Sequence, residues 1–348
     1  MKQAEQPSEG ALPQTTALSR EQAGHLAMQA MLARGFAERE ATLTVTALLD
    51  AERDGLPSHG LSRLPFYLDQ AATGKVNARA VPRVTRDGAV VRVDADQGLA
   101  FPAVARGIEE GQKVAAELGV CAVSVGRSHH FGVAGAPVES AAMDGFMALA
   151  FSNAPSAMAP WGGHKPLFGT NPIAFACPRC SGPPMVLDLS LSKVARGKVM
   201  LARKAGQPIP EGWAVGPDGL PTTDPDLAIQ GSMVPAGDAK GAALAMMVEL
   251  LCAGLSGSRF GFEAGSFFEA EGEPPEVGHL ILLFDAARFA PNVLSRCETL
   301  FAAMLDQPGV RLPGDRRRQL RQQGGDRISL PAGLVAELSD IARSFSGG

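Results

Sequence analysis

The stretch VCAVSVGRSHHFGVAG, residues 120–135, is the most informative about the fold class. Its valine-rich first half predicts a buried strand. The histidines and glycines that follow predict a loop at the end of that strand, where α/β folds bind ligands. Residues 99–119 predict a helix that closes at Gly119, and residues 81–95 predict a hairpin that turns at Asp87-Gly88. This segment predicts an α/β fold.

Short apolar runs separated by glycine- and proline-rich turns continue the strand pattern. They predict strands within 145–155, 167–178, 184–190 and 278–289. The two ends of the chain instead show helical periodicity, which begins at Ser19 and returns in the last residues. A β-rich centre is thus flanked by helix-rich ends.

We therefore expect a mixed α/β core, residues 81–307. The helical domain is expected to be discontinuous, built from residues 15–80 and 308–348. Residues 1–14 are polar and contain prolines, which predicts a flexible tail.

Composition excludes several classes of protein. The 348 residues include 32 Lys and Arg against 36 Asp and Glu, a net charge of −4 that is too balanced for a nucleic-acid binder. No apolar run reaches the length of a membrane span, and no apolar core of a secretory signal occurs near the start. The five cysteines are sparse and odd in number, so we expect reduced thiols and a cytoplasmic protein without membrane or nucleic-acid partners.

The segment Ser58-His59-Gly60-Leu61-Ser62-Arg63 combines a proton carrier with an anion anchor. On a helix, His59 and Arg63 would share a face at i and i+4. Histidine exchanges protons near neutral pH. An arginine fork can hold a carboxylate through charge-assisted hydrogen bonds worth about 1.5–3 kcal/mol each. The alternative is a helix start with Ser58 as the cap and a solvated histidine and arginine.

Other motifs are less specific when taken singly. Ser128-His129-His130-Phe131-Gly132 follows a strand, and together with His59 it suggests a zinc site, but no His-Glu-x-x-His or Cys/His quartet is present, so we expect no metal. Gly169-Thr-Asn-Pro172 is a turn with polar groups. Cys177 and Cys180 form a lone Cys-x-x-Cys. Neither phosphate-binding glycine fingerprint, the dinucleotide or the P-loop type, occurs.

Taken together, the motifs resemble the malate/L-lactate dehydrogenase family of oxidoreductases, in the same order over residues 20–320. The resemblance rests on DGLPSHGLSR, SHHFG, NAPSAMAPWGG, LFGTNPIAFACP, VLDLS and KGAALAMMVELLCAGLSG. It implies an α/β fold whose mixed-sheet core binds NAD(P) without a Rossmann domain. It also implies NADP(H), with NAD(H) as the alternative, and a homodimer. The late LPGDRR is most similar to the branch that reduces Δ1-pyrroline-2-carboxylate and Δ1-piperideine-2-carboxylate.

The resemblance implies a role for individual residues. His59 would be the proton donor, supported by Ser58, while Arg63 and Thr170 would contact the substrate. The residues implied for the cofactor fall in four runs: His130, Phe131, Gly132, Val133 and Ala134; Asp188, Leu189 and Ser190; Asp238 and Ala239; and Leu312, Pro313, Gly314, Asp315, Arg316, Arg317 and Arg318. Of these, Arg316 and Arg317 would meet the 2′-phosphate of NADP.

The chain departs from the imine-reductase branch at two places. Arg196-Gly197-Lys198 stands where the branch has His-Gly-Asp, whose acid takes part in the proton relay, although Gly-Lys is usual in the wider family. We expect Arg196 and Gly197 to contact the substrate and Lys198 to be catalytic. Ala236-Gly-Asp-Ala239 replaces Phe-Gly-Gly-His, a change that would alter the cofactor pocket.

The expected activity is NADPH-dependent reduction of a small cyclic imino acid, Δ1-pyrroline-2-carboxylate or Δ1-piperideine-2-carboxylate, to L-proline or L-pipecolate. The alternative is an NAD(P)-dependent dehydrogenase of a 2-hydroxy acid resembling lactate, malate or ureidoglycolate, with His59 as the base. A third possibility is a non-catalytic protein that binds a metal or ligand through His59, His129 and His130.

Overall fold

The computed structural model describes residues 14–344, so the tail predicted at residues 1–14 lies almost wholly outside the described residues. The helices are α1 Arg20–Ala33, α2 Glu38–Arg53, α3 Leu64–Ala72, α4 Ala100–Leu118, α5 Gly135–Met143, α6 Arg196–Lys204, α7 Pro225–Gln230, α8 Ala239–Glu249, α9 Ala286–Phe289, α10 Val293–Leu305, α11 Asp315–Gly324 and α12 Ala332–Arg343. The strands are β1 Thr15–Ser19, β2 Arg83–Asp87, β3 Val90–Asp94, β4 Val120–Ser128, β5 Phe146–Ser152, β6 Ile173–Cys177, β7 Met185–Leu189, β8 Ala214–Val215, β9 Pro221–Thr222, β10 Ser232–Met233, β11 Val277–Asp285 and β12 Arg327–Pro331.

A seven-stranded mixed sheet forms the centre, in the order β2-β3-β4-β11-β5-β6-β7. The β3–β4 pair is parallel and the other neighbours are antiparallel. Asp87 pairs with Val90, so the predicted hairpin turn is confirmed. The mixed α/β architecture with a multistranded sheet agrees with the sequence prediction.

Helices cover both faces of this sheet. On one face, α4 and α5 bury valines and alanines against β3 to β6. Glycines let α4 approach closely, because a Cβ on Gly107 would lie only 2.7 Å from Cγ1 of Val123. On the other face, Ala245 and Val248 of α8 pack with Phe151 and Leu280. The sheet is therefore buried between helical layers.

The two ends of the described chain meet in a way that the sequence analysis missed. β1 and β12 form an antiparallel pair, with Ala17 opposite Ser329. Ser19 then starts α1 through a reciprocal cap with Gln22. Side chains from both ends share one buried cluster that includes Met31 and Leu338. The domain boundaries drawn from the sequence remain a prediction.

The sequence analysis did not predict the short elements β8, β9, α7 and β10, which lie in the segment 206–239. The helix α6 was not predicted either. Helix α8 continues directly into a π-helical turn, Leu250–Gly254. Between residues 14 and 344, no helix is both long enough and apolar enough to cross a membrane.

Candidate active site

The segment that carries Ser58 and His59 is not the continuous α-helix that was predicted. It forms two successive 3-10 turns, Pro57–His59 and Leu61–Arg63, separated at Gly60 and followed by α3. The reason is local. A carboxylate oxygen of Glu52 accepts the N–H of Leu61 at 2.8 Å, and a Cβ on Gly60 would collide with that same carboxylate.

The turns nevertheless bring the predicted residues together. Oγ of Ser58 lies 3.0 Å from Nδ1 of His59, so the hydroxyl fixes the imidazole. Nε of Arg63 donates to the carbonyl of Ser58 at 2.7 Å, which leaves both terminal nitrogens for a ligand. The prediction that His59 and Arg63 share one face of an α-helix was wrong. Both side chains nevertheless contact Ser58, so the histidine and the arginine are brought together.

His59 is poised as an uncharged base. Burial, followed by the positive charges of Arg63 and Arg317, lowers its pKa from 6.5 to about 4. The imidazole is therefore neutral at physiological pH and has the capacity to accept a proton. The influence of Arg317 also shows that the arginine loop predicted to bind the cofactor lies near the catalytic turn.

Arg63 is a half-buried cation that lacks a protein anion. Its guanidinium stacks over the ring of Phe268 at 4.6 Å, and burial lowers its pKa. Within residues 14–344 it has no carboxylate partner. A desolvated charge of this kind is costly unless a ligand supplies the counter-charge.

The two adjacent histidines are held by α3. Nδ1 of His130 lies 2.8 Å from the hydroxyl of Tyr67, and the rings of His59 and His130 are 5.5 Å apart. Nε2 of His129 donates to Gln70 at 2.7 Å. Burial lowers the pKa of both His129 and His130 and raises that of Tyr67, so all three are neutral. Tyr67 is a site residue to which the sequence assigned no role.

A loop that is distant in sequence adds the aromatic rings of Phe267 and Phe268 to the site. Phe267 packs against His129 and His130 at centroid distances of 5.1 and 5.2 Å, beside Phe268 on Arg63. Side chains near α3, including Lys75, hold this loop by its backbone carbonyls. No motif marks these phenylalanines, and they became visible only through the fold.

The Gly-Thr-Asn turn lies next to the predicted substrate and cofactor segments. The carbonyl of Thr170 accepts the N–H of Leu191 at 2.9 Å, and the hydroxyl of Ser190 also faces it. Asn171, with a φ of 39°, anchors the turn on the buried carboxylate of Glu249 at 2.9 Å. Glu249 also accepts the backbone N–H groups of Gly169 at 3.1 Å and Gly261 at 3.0 Å.

The segment of Arg196, Gly197 and Lys198 begins α6 beside the catalytic turn. A Cβ on Gly197 would lie 3.6 Å from Cβ of Ser58. Arg196 donates to the carbonyl of Ser156 at 3.0 Å. Lys198 is exposed, and its ammonium lies 6.0 Å from the ring centroid of Trp213. The structure thus places Gly197 against Ser58. A catalytic role for Lys198 remains a prediction.

The other predicted cofactor residues also come together. The carboxylate of Asp188 accepts the N–H of Gly135 at 2.8 Å, at the start of α5, and pairs with Arg317 at 2.9 Å. The run 130–134 leads directly into this helix. Asp238 and Ala239 start α8 close by, because the N–H of Ala236 bonds to the carbonyl of Leu191.

Within the run 312–318, the arginines differ in their partners. Arg318 pairs with Asp315 at 2.8 Å, which fixes the loop, and Gly314 packs on β7 with a φ of 92°. Nη1 of Arg317 is buried without a hydrogen-bond partner, although Nη2 is paired. Arg316 is exposed. Leu312 is buried and Pro313 accepts a β7 N–H, so these two serve the loop's packing.

The remaining members of the predicted set support the backbone of the site. Phe131 stacks on His279 at 4.6 Å, and Gly132 has a φ of 77° where a Cβ would strike Phe101. Ala134 is buried, whereas Leu189 is exposed. In the described part of the chain, no group of three or more His, Cys, Asp or Glu is arranged to hold a metal ion.

Comparison with known proteins identifies the family of the chain. The family model for malate/L-lactate dehydrogenase matches residues 18–339. A (2R)-3-sulfolactate dehydrogenase (NADP(+)) from Chromohalobacter salexigens is 64% identical over 94% of this chain and 98% of its own. A Δ1-pyrroline-2-carboxylate reductase from Ancylobacter novellus is 40% identical over 91% of this chain and 94% of its own.

A solved structure shows the same fold. A dehydrogenase from Sinorhizobium meliloti superimposes with a TM-score of 0.89 and 32% identity, covering 95% of this chain and 99% of its own. The likeness therefore extends over nearly the full length of both chains.

Proposed function

Because the chain belongs to the malate/L-lactate dehydrogenase family, we propose that it is an NADP-dependent dehydrogenase that oxidises a small 2-hydroxy acid, such as 3-sulfolactate, to the 2-oxo acid. This is the alternative of the two reactions expected from the sequence. The relative that is 64% identical acts on a hydroxy acid, whereas the relative named as an imine reductase is 40% identical.

The observation that carries the proposal is a neutral histidine beside an unpaired arginine. Oxidation of an alcohol needs a base for the hydroxyl proton, and the lowered pKa of His59, about 4, keeps its imidazole available as that base. Arg63 has both terminal nitrogens free for the acid's carboxylate. An imine reductase would instead need His59 to remain protonated, which burial and then the positive charges of Arg63 and Arg317 oppose.

In the proposed reaction, the substrate carboxylate binds to Arg63 and the 2-hydroxyl points at Nε2 of His59. When Nδ1 donates to Oγ of Ser58, Nε2 is unprotonated and accepts the hydroxyl proton. The hydride that leaves C2 would be taken up by a bound NADP⁺, which would supply the oxidising equivalent. The bound carboxylate also offsets the charge of Arg63, so the imidazolium that forms is less disfavoured than in the free enzyme.

The residues predicted for the cofactor fit an anionic dinucleotide. Nη1 of Arg317 is a buried donor without a partner, which a phosphate oxygen would satisfy, and Arg316 is free at the surface of the same loop. The start of α5 at Gly135 lies beside them. We infer that these residues hold NADP(H), with the adjacent mixed sheet in place of a Rossmann domain.

The first test follows NADPH formation with 3-sulfolactate, malate and lactate, using the wild type and His59→Ala. General-base loss should lower kcat roughly 10²–10⁴-fold. Turnover that is unchanged in the variant would contradict the role of His59. A parallel assay with NADPH and Δ1-pyrroline-2-carboxylate tests the second candidate, which the imine-reductase relative favours.

We further propose that two copies of the chain pair through α8 and the π-helical turn. One side of this segment is buried on the sheet, while Leu244, Met246, Leu250 and Leu255 are 41%, 49%, 56% and 66% exposed. A second copy of the same face would cover this apolar surface symmetrically. Analytical ultracentrifugation of Leu250→Glu should then show a shift from dimer to monomer.

A further inference from the structure

We propose that Arg321 is a positioning residue that couples binding of the cofactor at the loop 312–318 to the position of the catalytic turn at His59. The inference rests on the proposed function, since it takes this loop as part of the cofactor site and His59 as the base. Arg321 itself lies outside the residues predicted for substrate and cofactor. It acts through Asp54, the residue that follows α2.

Arg321 lies on α11, the helix that begins within the cofactor loop. Arg317 and Arg321 are four residues apart, so they share one face of this helix. Together with Gly314 and Glu139 they line one cavity between α5, β7 and α11. Arg317, whose Nη1 has no hydrogen-bond partner, is thus about one helical turn from Arg321.

The guanidinium of Arg321 joins two carboxylates that belong to different parts of the fold. Nε and Nη2 donate to the two oxygens of Asp54, the second at 2.9 Å. Nη1 and Nη2 donate to the two oxygens of Glu139 on α5 at 2.9 and 2.7 Å. Four of its five N–H groups are used, which fixes the side chain in both directions. The Asp54 carboxylate is 2% exposed, so water has little access to it as a substitute partner.

Helix α11 also packs directly against the backbone that follows α2. Gly55 has a φ of 70°, and a Cβ there would lie 2.7 Å from Cδ1 of Leu320, the residue before Arg321. A side chain at this position would therefore push α11 away. Glycine allows the close approach that brings Arg321 to Asp54.

A short hydrogen-bonded stretch of backbone leads from Asp54 to His59. The N–H of Leu56 bonds to the carbonyl of Ala51 at 2.9 Å, and the N–H of His59 bonds to the carbonyl of Leu56 at 2.9 Å. Because each step is a fixed contact, a displacement of α11 is passed to the imidazole. A misplacement of about 1 Å in a reacting geometry costs roughly 10²-fold in rate.

A salt bridge that only stabilises the fold would hold α2 and α11 together equally with and without the cofactor. A coupling residue predicts a difference between the two states. Loading the cofactor site should order the catalytic turn, and this effect should be lost without Arg321.

The first test measures hydrogen–deuterium exchange of the peptide 56–63 with and without saturating NADPH. In the wild type, NADPH should slow exchange roughly fivefold or more, the lower end of ordinary coupling between two sites. In Arg321→Gln the slowing should be lost although NADPH still binds, which fluorescence titration checks. Equal slowing in both proteins, or none in a wild type that binds NADPH, overturns the inference. A wild type that does not bind NADPH would overturn the proposed function as well.

Two further variants separate the Asp54 contact from the Glu139 contact. Asp54→Asn should lose the slowing, which also provides the test if Arg321→Gln does not fold. Glu139→Gln is the matched control, because it changes a carboxylate on the same guanidinium but leaves the link to Asp54. It should keep the slowing. Loss in Glu139→Gln together with retention in Asp54→Asn would overturn the path through Asp54.

Kinetics give a second readout that a merely structural role does not move. With 3-sulfolactate, Arg321→Gln should lower kcat roughly 10–100-fold and change the KM for NADP⁺ much less, and Arg321→Lys should recover part of kcat. Arg179→Gln breaks a half-buried pair with Glu298 at 2.9 Å, so it should lower the thermal midpoint without lowering kcat. An equal loss of kcat in Arg321→Gln and Arg179→Gln would overturn the inference. A wild type that binds NADPH but oxidises no hydroxy acid would contradict the proposed function, and the exchange measurement would then decide the coupling.

Discussion

Arg63 and the arginines of the loop 312–318 border the candidate active site, and they differ in the groups that neutralise their charge. Arg63 is half-buried against Phe268 and has no carboxylate partner among the described residues. In the loop 312–318, Arg317 is paired with Asp188 and Arg318 with Asp315. The charge of Arg63 is left for a ligand to neutralise. Arg317 and Arg318 instead use most of their charge to hold the loop in place.

This difference distinguishes an arginine that binds a ligand from arginines that stabilise the fold. A buried cation without a partner opposes folding, so it is retained where a ligand supplies the missing anion. A paired arginine stabilises the fold and has fewer donors left for a ligand. The spare donor on Arg317 and the exposed Arg316 lie between these limits.

The largest effect should come from Arg63→Gln. Losing two charge-assisted bonds to the substrate, about 1.5–3 kcal/mol each, should lower kcat/KM roughly 10²–10⁴-fold. The thermal midpoint should not fall, because the change removes an uncompensated buried charge. Steady-state kinetics and scanning calorimetry on the same preparation check both statements. A variant that keeps its activity, or loses it only by unfolding, would contradict the role of Arg63 in binding the substrate.

Arg317→Gln should give the opposite result for stability. It leaves the carboxylate of Asp188, which is 14% exposed, without its cation, and should lower the free energy of unfolding by about 1–3 kcal/mol. Urea denaturation measures this change. Arg343→Gln, a control on an exposed pair with Asp340, should leave the urea midpoint nearly unchanged. Equal effects of the two substitutions would show that the Asp188 pair is no more important than a surface pair.

These paired and unpaired residues show which parts of the site could be predicted from the sequence. Ser58, His59 and Arg63 are contiguous, as are residues 312–318, so local spacing indicates them. Their exact geometry was not predictable, because Glu52 decides that the first segment forms 3-10 turns.

Contacts between distant parts of the chain could not be predicted from the sequence. Tyr67 and His130 are 63 residues apart, and Gln70 is 197 residues from the carbonyl of Phe267 that it binds. The β1–β12 pair joins the two ends of the described chain. Such contacts depend on how the sheet and helices pack, and no local periodicity encodes them.

The buried histidines His129 and His279 should make the protein sensitive to acid. Burial lowers the pKa of His129 and His279 from 6.5 to about 3, so the unfolded chain binds protons that the folded chain excludes. Stability should therefore fall as the pH drops from 7 to 5, by about 1.4 kcal/mol per pH unit for each histidine below its unfolded pKa. Urea midpoints across this range measure the slope. Arginines do not titrate there, so a flat profile would contradict the neutral state of the buried histidines.

The smallest effect should be that of Arg316→Gln. Arg316 is exposed, and one contact to the 2′-phosphate should be worth roughly a tenfold preference for NADP⁺ over NAD⁺. The ratio of kcat/KM for the two cofactors measures it, with Arg311→Gln as an exposed control just before the loop. Because NAD⁺ lacks that phosphate, its kcat/KM should not change. An equal loss with both cofactors would place Arg316 with the arginines that hold the loop, and would leave Arg317 as the residue of this loop to test for recognition of the phosphate.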